Sequence, residues 1–112
     1  MPEMTLPDPL PDLTADQTEM LAELFHLLGE RSRLGIVLAC LERPMAVGEI
    51  AASLGLSPSL VSHHLRLLRA ARLLRGERRG KQVFYTAADE HVRTVVTDLA
   101  NHVLEPGHSS EE

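Results

Sequence analysis

The chain has 112 residues, a formal net charge of −5, 44% hydrophobic residues and only 3% aromatic ones. That is one small domain, marginally stable by itself, whose core must be built from Leu, Val and Ala. It has no apolar run long enough to span a bilayer and no basic-then-apolar leader. Its single cysteine, Cys40, rules out an intrachain disulfide and a cysteine-rich zinc finger and suits a cytoplasmic protein.

Residues 1–13 carry Pro2, Pro7, Pro9 and Pro11 among acidic side chains and read as a disordered tail. Residues 14–105 read as the folded domain, and 106–112, opened by Pro106-Gly107, as a flexible end. Thr14 with Gln17 three residues on resembles a capping box and opens a first helix to about Leu28. Its apolar face is Met20, Leu21, Leu24, Phe25 and Leu28, broader than one small core needs, and Gly29 ends it. Residues 30–41 form a second helix with Leu34, Val37, Leu38 and Leu41 inward and Cys40 near that face as a buried small residue. Arg43-Pro44 breaks it.

Residues 47–54 predict a short third helix stopped by Gly55. Ser57 caps a fourth and Pro58 takes its first position, with Leu60, Val61, Leu65 and Leu68 inward. Two helices joined by a tight Gly-containing turn make a helix-turn-helix, and GEIAASLGLSPSLVSHHLRLL fits one throughout. Ser57, Ser59, Ser62, His63, His64 and Arg66 are the side chains of the second helix placed to meet base edges and phosphates. Residues 73–77 and 82–86 then read as two strands joined through RRGK, a hairpin wing that carries Arg78, Arg79 and Lys81 at its tip. Between Ser57 and Tyr85 there are seven basic residues against one acid, Glu77, so the net negative charge lies elsewhere. That segregation suits a phosphate-facing surface and double-stranded DNA as partner.

Residues 88–105, ADEHVRTVVTDLANHVLE, form the last helix, with Val92, Val95, Val96, Leu99 and Val103 as one apolar stripe. Asp89, His91, His102 and Glu105 border it. His91 and His102 are eleven residues apart, so they share a face but stand about 16 Å apart along the axis. Zinc holds its nitrogen and oxygen ligands at about 2 Å, so one helix cannot close these side chains around an ion. Two copies running antiparallel across a two-fold axis can, with the stripe as dimer seam. The fold expected is therefore mainly α with a small β-hairpin wing, a winged helix-turn-helix homodimer, and no enzyme: two imidazoles and two carboxylates leave a tetrahedral Zn(II) no open position.

The stretches ERSRLGIVLACL, VGEIAASLGLSPSLVSHHLRLL and RRGKQVFYT, with the last helix, resemble the ArsR/SmtB family of bacterial metal-responsive repressors over about residues 15–105. The resemblance implies a homodimer that binds operator DNA when apo and lets go when an inducer binds. One subfamily carries Cys-x-Cys before the turn, where this chain reads MAVGEI with no cysteine. The zinc-type subfamily carries Asp-x-His, ten residues, then His-x-x-Glu or His-x-x-His, and Asp89, His91, His102 and Glu105 match it completely. Zn(II) is thereby implied as the effector and Co(II) as a mimic. Sensing of Ni(II) or Co(II), with His108 as an extra ligand, stands as the alternative, as does a repressor with a structural or idle metal site. The resemblance also implies a relay, in which His102 donates its second ring N–H to a carbonyl near Arg72. Neither a membrane nor a small-molecule substrate is implied.

Overall fold

The computed structural model describes residues 9–107. Residues 1–8, and with them most of the expected N-terminal tail, lie outside the described residues, as does His108. In chain order the elements are α1 (Ala15–Leu28), α2 (Arg31–Glu42), α3 (Val47–Leu54), α4 (Pro58–Ala70), β1 (Leu74–Arg79), β2 (Gln82–Ala87) and α5 (Glu90–Leu104). Among the described residues no helix is long and apolar enough to cross a membrane.

Local chemistry sets the boundaries. The Gln17 N–H donates to the Thr14 hydroxyl (3.1 Å) and the Thr14 N–H to the Gln17 side chain (3.0 Å), the reciprocal box expected at the start of α1. Glu30 caps α2 by accepting from the Arg33 N–H at 2.9 Å. Gly55, at φ +68°, takes the left-handed position that ends α3, and Ser57 caps α4 through the Leu60 N–H at 3.1 Å. The end of α4 is less usual. Arg72 stands at φ +61° while its N–H bonds the Arg69 carbonyl (2.9 Å) and the Leu73 N–H the Leu68 carbonyl (2.9 Å). That is a Schellman cap with arginine in the place glycine favours, secured by buried Leu73 and Leu68.

One core joins Ile36, Val37 and Cys40 of α2 to Ile50 of α3, Val61, Leu65 and Leu68 of α4, and Leu74 and Tyr85 of the wing. The face expected of α2 is corrected in detail. Ile36 and Cys40 are fully buried, Leu34 and Leu41 only partly, and Leu38 is 41% exposed. Helix α2 packs against α1, α3, α4 and β2 at once, which turns its deepest line away from the single stripe that periodicity suggests. Leu60 is likewise on the surface, because the buried line of α4 is Val61, His64, Leu65 and Leu68.

The wing is longer than expected. Its strands pair antiparallel from Leu74 with Ala87 to Arg79 with Gln82, so Arg78 and Arg79 are strand residues and only Gly80 and Lys81 turn. Gly80 has a φ of +64° and Lys81 does not have a positive one, the signature of a type II′ turn. Met45 adds a short antiparallel bridge to Tyr85, through bonds of 3.1 and 2.8 Å.

Candidate nucleic-acid interface and metal-ligand positions

Helix α4 turns Ser59, Ser62, His63 and Arg66 to solvent on the side away from Val61, Leu65 and Leu68. Their spacing of three, four and seven residues makes one strip along the helix. Ser57 stands at its start with its oxygen engaged by the Leu60 N–H, a bond that does not use the hydroxyl proton. Arg78 and Lys81 are exposed on the wing. Arg79 is held on two sides: its guanidinium lies 3.2 Å from the Glu77 carboxylate and 5.2 Å from the centre of the Phe84 ring. Glu77 and Phe84 were not among the expected site residues, although alternation along a strand puts positions 77 and 79 on one face.

His64 is the correction on this surface. It is only 7% exposed and lies inside the domain, its Nε2 3.9 Å from a Glu30 carboxylate oxygen and its Nδ1 without a hydrogen-bond partner. Burial pushes its pKa below the ordinary value, Glu30 opposes that, and Arg33 and His63 add to it. A neutral core imidazole at this depth does not reach a groove. His63 beside it is exposed, with the two ring centres 5.7 Å apart. Cys40, also fully buried, has its thiol pushed up to about 12 by desolvation and is no nucleophile at neutral pH.

Helix α5 holds the four expected ligands in two pairs. Asp89 is the N-cap, its Oδ1 accepting from the Val92 N–H at 3.0 Å, which leaves its second oxygen outside that bond. His91 follows on the first turn, exposed, at the rim of an apolar hollow of about 200 Å³ between α1 and α5. At the other end the His102 Nδ1 lies 3.8 Å from a Glu105 oxygen, and the Glu105 N–H donates to the His102 carbonyl at 3.2 Å. Glu105 is thus the C-cap, with extended backbone, and not part of the helix itself. The 15-residue helix keeps the pairs about 20 Å apart. Among the described residues of one chain no three His, Cys, Asp or Glu side chains converge. As a donor set, two imidazoles and two carboxylates in exposed positions fit zinc, cobalt or nickel once a second copy supplies the missing pair.

The apolar stripe between those pairs is open. Leu99 is 51% and Val103 65% exposed, and Phe25 of α1 is 50% exposed beside them. Together with Leu28, Leu34 and Leu38 they line a groove of about 490 Å³. The start of α5 is anchored to the DNA-binding unit, because the Ala88 N–H donates to the Leu73 carbonyl at 3.1 Å, next to the left-handed turn at Arg72.

Comparison with known proteins bears on the family and the fold. Residues 30–75 match the family of bacterial regulatory proteins described as the arsR family. The chain is 38% identical over 93 residues to a transcriptional repressor SmtB homolog of Synechocystis, covering 83% of this chain and 70% of that one. It is 41% identical over 92 residues to the HTH-type transcriptional regulator KmtR of Mycobacterium tuberculosis, covering 82% and 68%. The homodimeric winged helix-turn-helix DNA-binding domain of a Mycobacterium bovis protein superposes with a TM-score of 0.74 at 25% identity, over 88% of this chain and 92% of that one. With helix-turn-helix, basic wing and relatives in agreement over most of its length, the chain belongs to the arsR family of bacterial transcriptional regulators.

Proposed function

We propose that this protein is a metal-responsive repressor that binds operator DNA as an apo homodimer and leaves it when Zn(II) is held between the α5 helices of two protomers. The observation that carries the reading is the placing of donors on α5: Asp89 and His91 at one end, His102 and Glu105 at the other, along an exposed apolar stripe. An antiparallel pair of α5 helices about a two-fold axis covers Leu99, Val103 and Phe25 and brings each donor pair to its complement. Asp89 and His91 of one protomer with His102 and Glu105 of the other would hold Zn(II), and the ion would supply a link between protomers.

Release depends on where that link would act. The recognition helices of a dimer must stand about 34 Å apart to enter successive major grooves. The Asp89–His91 end of α5 adjoins the Arg72 turn that terminates α4. His102 from the second protomer, one ring nitrogen engaged as ligand, would present its other N–H to a carbonyl of that turn, so that seam and recognition helix move together. As a regulator of transcription the protein works in the cytoplasm, with the chromosome.

The test is fluorescence anisotropy of the apo dimer on DNA from its own upstream region, with and without zinc, at fixed salt. A tenfold or greater loss of affinity, about 1.4 kcal/mol of coupling, supports the reading. Zinc that binds without changing DNA affinity defeats it. Parallel Co(II) and Ni(II) titrations decide the metal, and a protein that unfolds on chelation would make the ion structural.

A further inference from the structure

We infer that Arg93 is a positioning residue, the latch through which the place of α5 is passed to the helix-turn-helix; this rests on the metal-responsive reading above. Arg93 lies one turn into α5, four residues after Asp89 and two after His91. Its guanidinium donates from Nη1 to the Leu41 carbonyl at 2.8 Å, a part-buried bond between residues fifty-two apart in sequence.

The carbonyl it reaches is short of donors. Leu41 belongs to the last turn of α2, whose carbonyls have no partner within the helix. A helix end is ordinarily closed by backbone N–H groups of the next residues. Here the residue after the Arg43 cap is Pro44, which has no N–H. A cation from another element closes the end instead, where the helix dipole favours positive charge. Glu90, 3.8 Å from the Arg93 Nε, steadies the guanidinium from its own helix.

The connection from α2 to α3 makes this a coupling point. Arg43 pairs with Glu49 of α3 at 3.3 Å, and Glu49 caps the start of α3 by accepting the Ala46 N–H at 3.0 Å. Helix α3 packs on the recognition helix α4. A displacement of the ligand-bearing end of α5 thus reaches the end of α2, the α3 cap and then α4, along a route separate from the Arg72 turn.

The experiment uses the full-length dimer as wild type, Arg93→Ala and Arg93→Lys. It measures zinc affinity without DNA, DNA affinity without and with zinc, and thermal stability. Arg93→Ala is expected to keep zinc affinity and apo DNA affinity within about threefold while the ratio of apo to zinc-loaded DNA affinity falls about tenfold. Arg93→Lys, with its charge and a donor retained, is expected to recover most of the ratio. A wild-type ratio in Arg93→Ala overturns the inference, and so does a ratio that falls only in step with zinc affinity or stability. A wild type indifferent to zinc defeats the metal-responsive reading itself, and the latch falls with it.

Discussion

Gly76 and Tyr85 face each other across the wing, and a side chain at Gly76 would lie where the ring and its neighbour already are. A Cβ there would stand 2.9 Å from Val83 Cγ1 and 3.1 Å from Tyr85 Cε1. Gly76→Ala is therefore expected to cost about 1–3 kcal/mol in urea unfolding, through overpacking of the hairpin. His64 offers a second residue-scale test. Its folded pKa lies below the ordinary value of 6.5, so as pH falls through that value the unfolded chain takes up the proton first and stability drops. Glu30 and Glu49, both lowered chiefly by backbone N–H bonds, lose their contribution only below the ordinary carboxylate value. Unfolding midpoints at about pH 7.5 and 5.5 should differ less in His64→Leu than in the wild type. An equal difference would mean that His64 is not the titrating group. The two adjacent histidines also show how far the sequence could be read. Polarity assigned both to the groove, whereas the line Val61, Leu65 and Leu68 already contained position 64 and assigned it inward. Periodicity was the stronger signal. Nothing local in the sequence joins Arg93 to Leu41, since that meeting needs the folded chain.

At the scale of elements, α1 and α5 stand apart from the rest. No residue of α1 is fully buried, and α5 buries only Val96. Both stripes were legible, α5 from spacings of three and four and α1 from a face too broad for one core. The α2 face was not, because a helix packed on several sides has no single stripe to find. The strand ends were read short for a related reason: a turn of two residues leaves arginines in the strands, where composition suggests a loop. The exposed stripes make a direct prediction. Leu99→Asp places a charge in the proposed seam and should weaken self-association about 100-fold or more by sedimentation, with operator binding lost in parallel. Persistence of a tight dimer would move the interface elsewhere.

For the molecule as a whole, the basic third of the chain becomes one continuous structure, α4 followed by the wing, while α1 carries Asp16, Glu19 and Glu23. The division was legible because charge runs survive folding when the elements that carry them are consecutive. The proposed metal positions ask for more than one chain, and that proposal has a genetic consequence. The donor pairs at the two ends of α5 are separately mutable. A chain with Asp89 and His91 replaced keeps an intact His102–Glu105 pair, and a chain with His102 and Glu105 replaced keeps the reverse. Homodimers of either are expected to be deaf to metal. A mixed dimer rebuilds one whole site from the two intact halves and concentrates every lesion in the other. Co-expression of two dead alleles should then restore one bound ion per heterodimer in a metal titration, and failure to complement would mean that these donors do not hold an ion between two α5 helices.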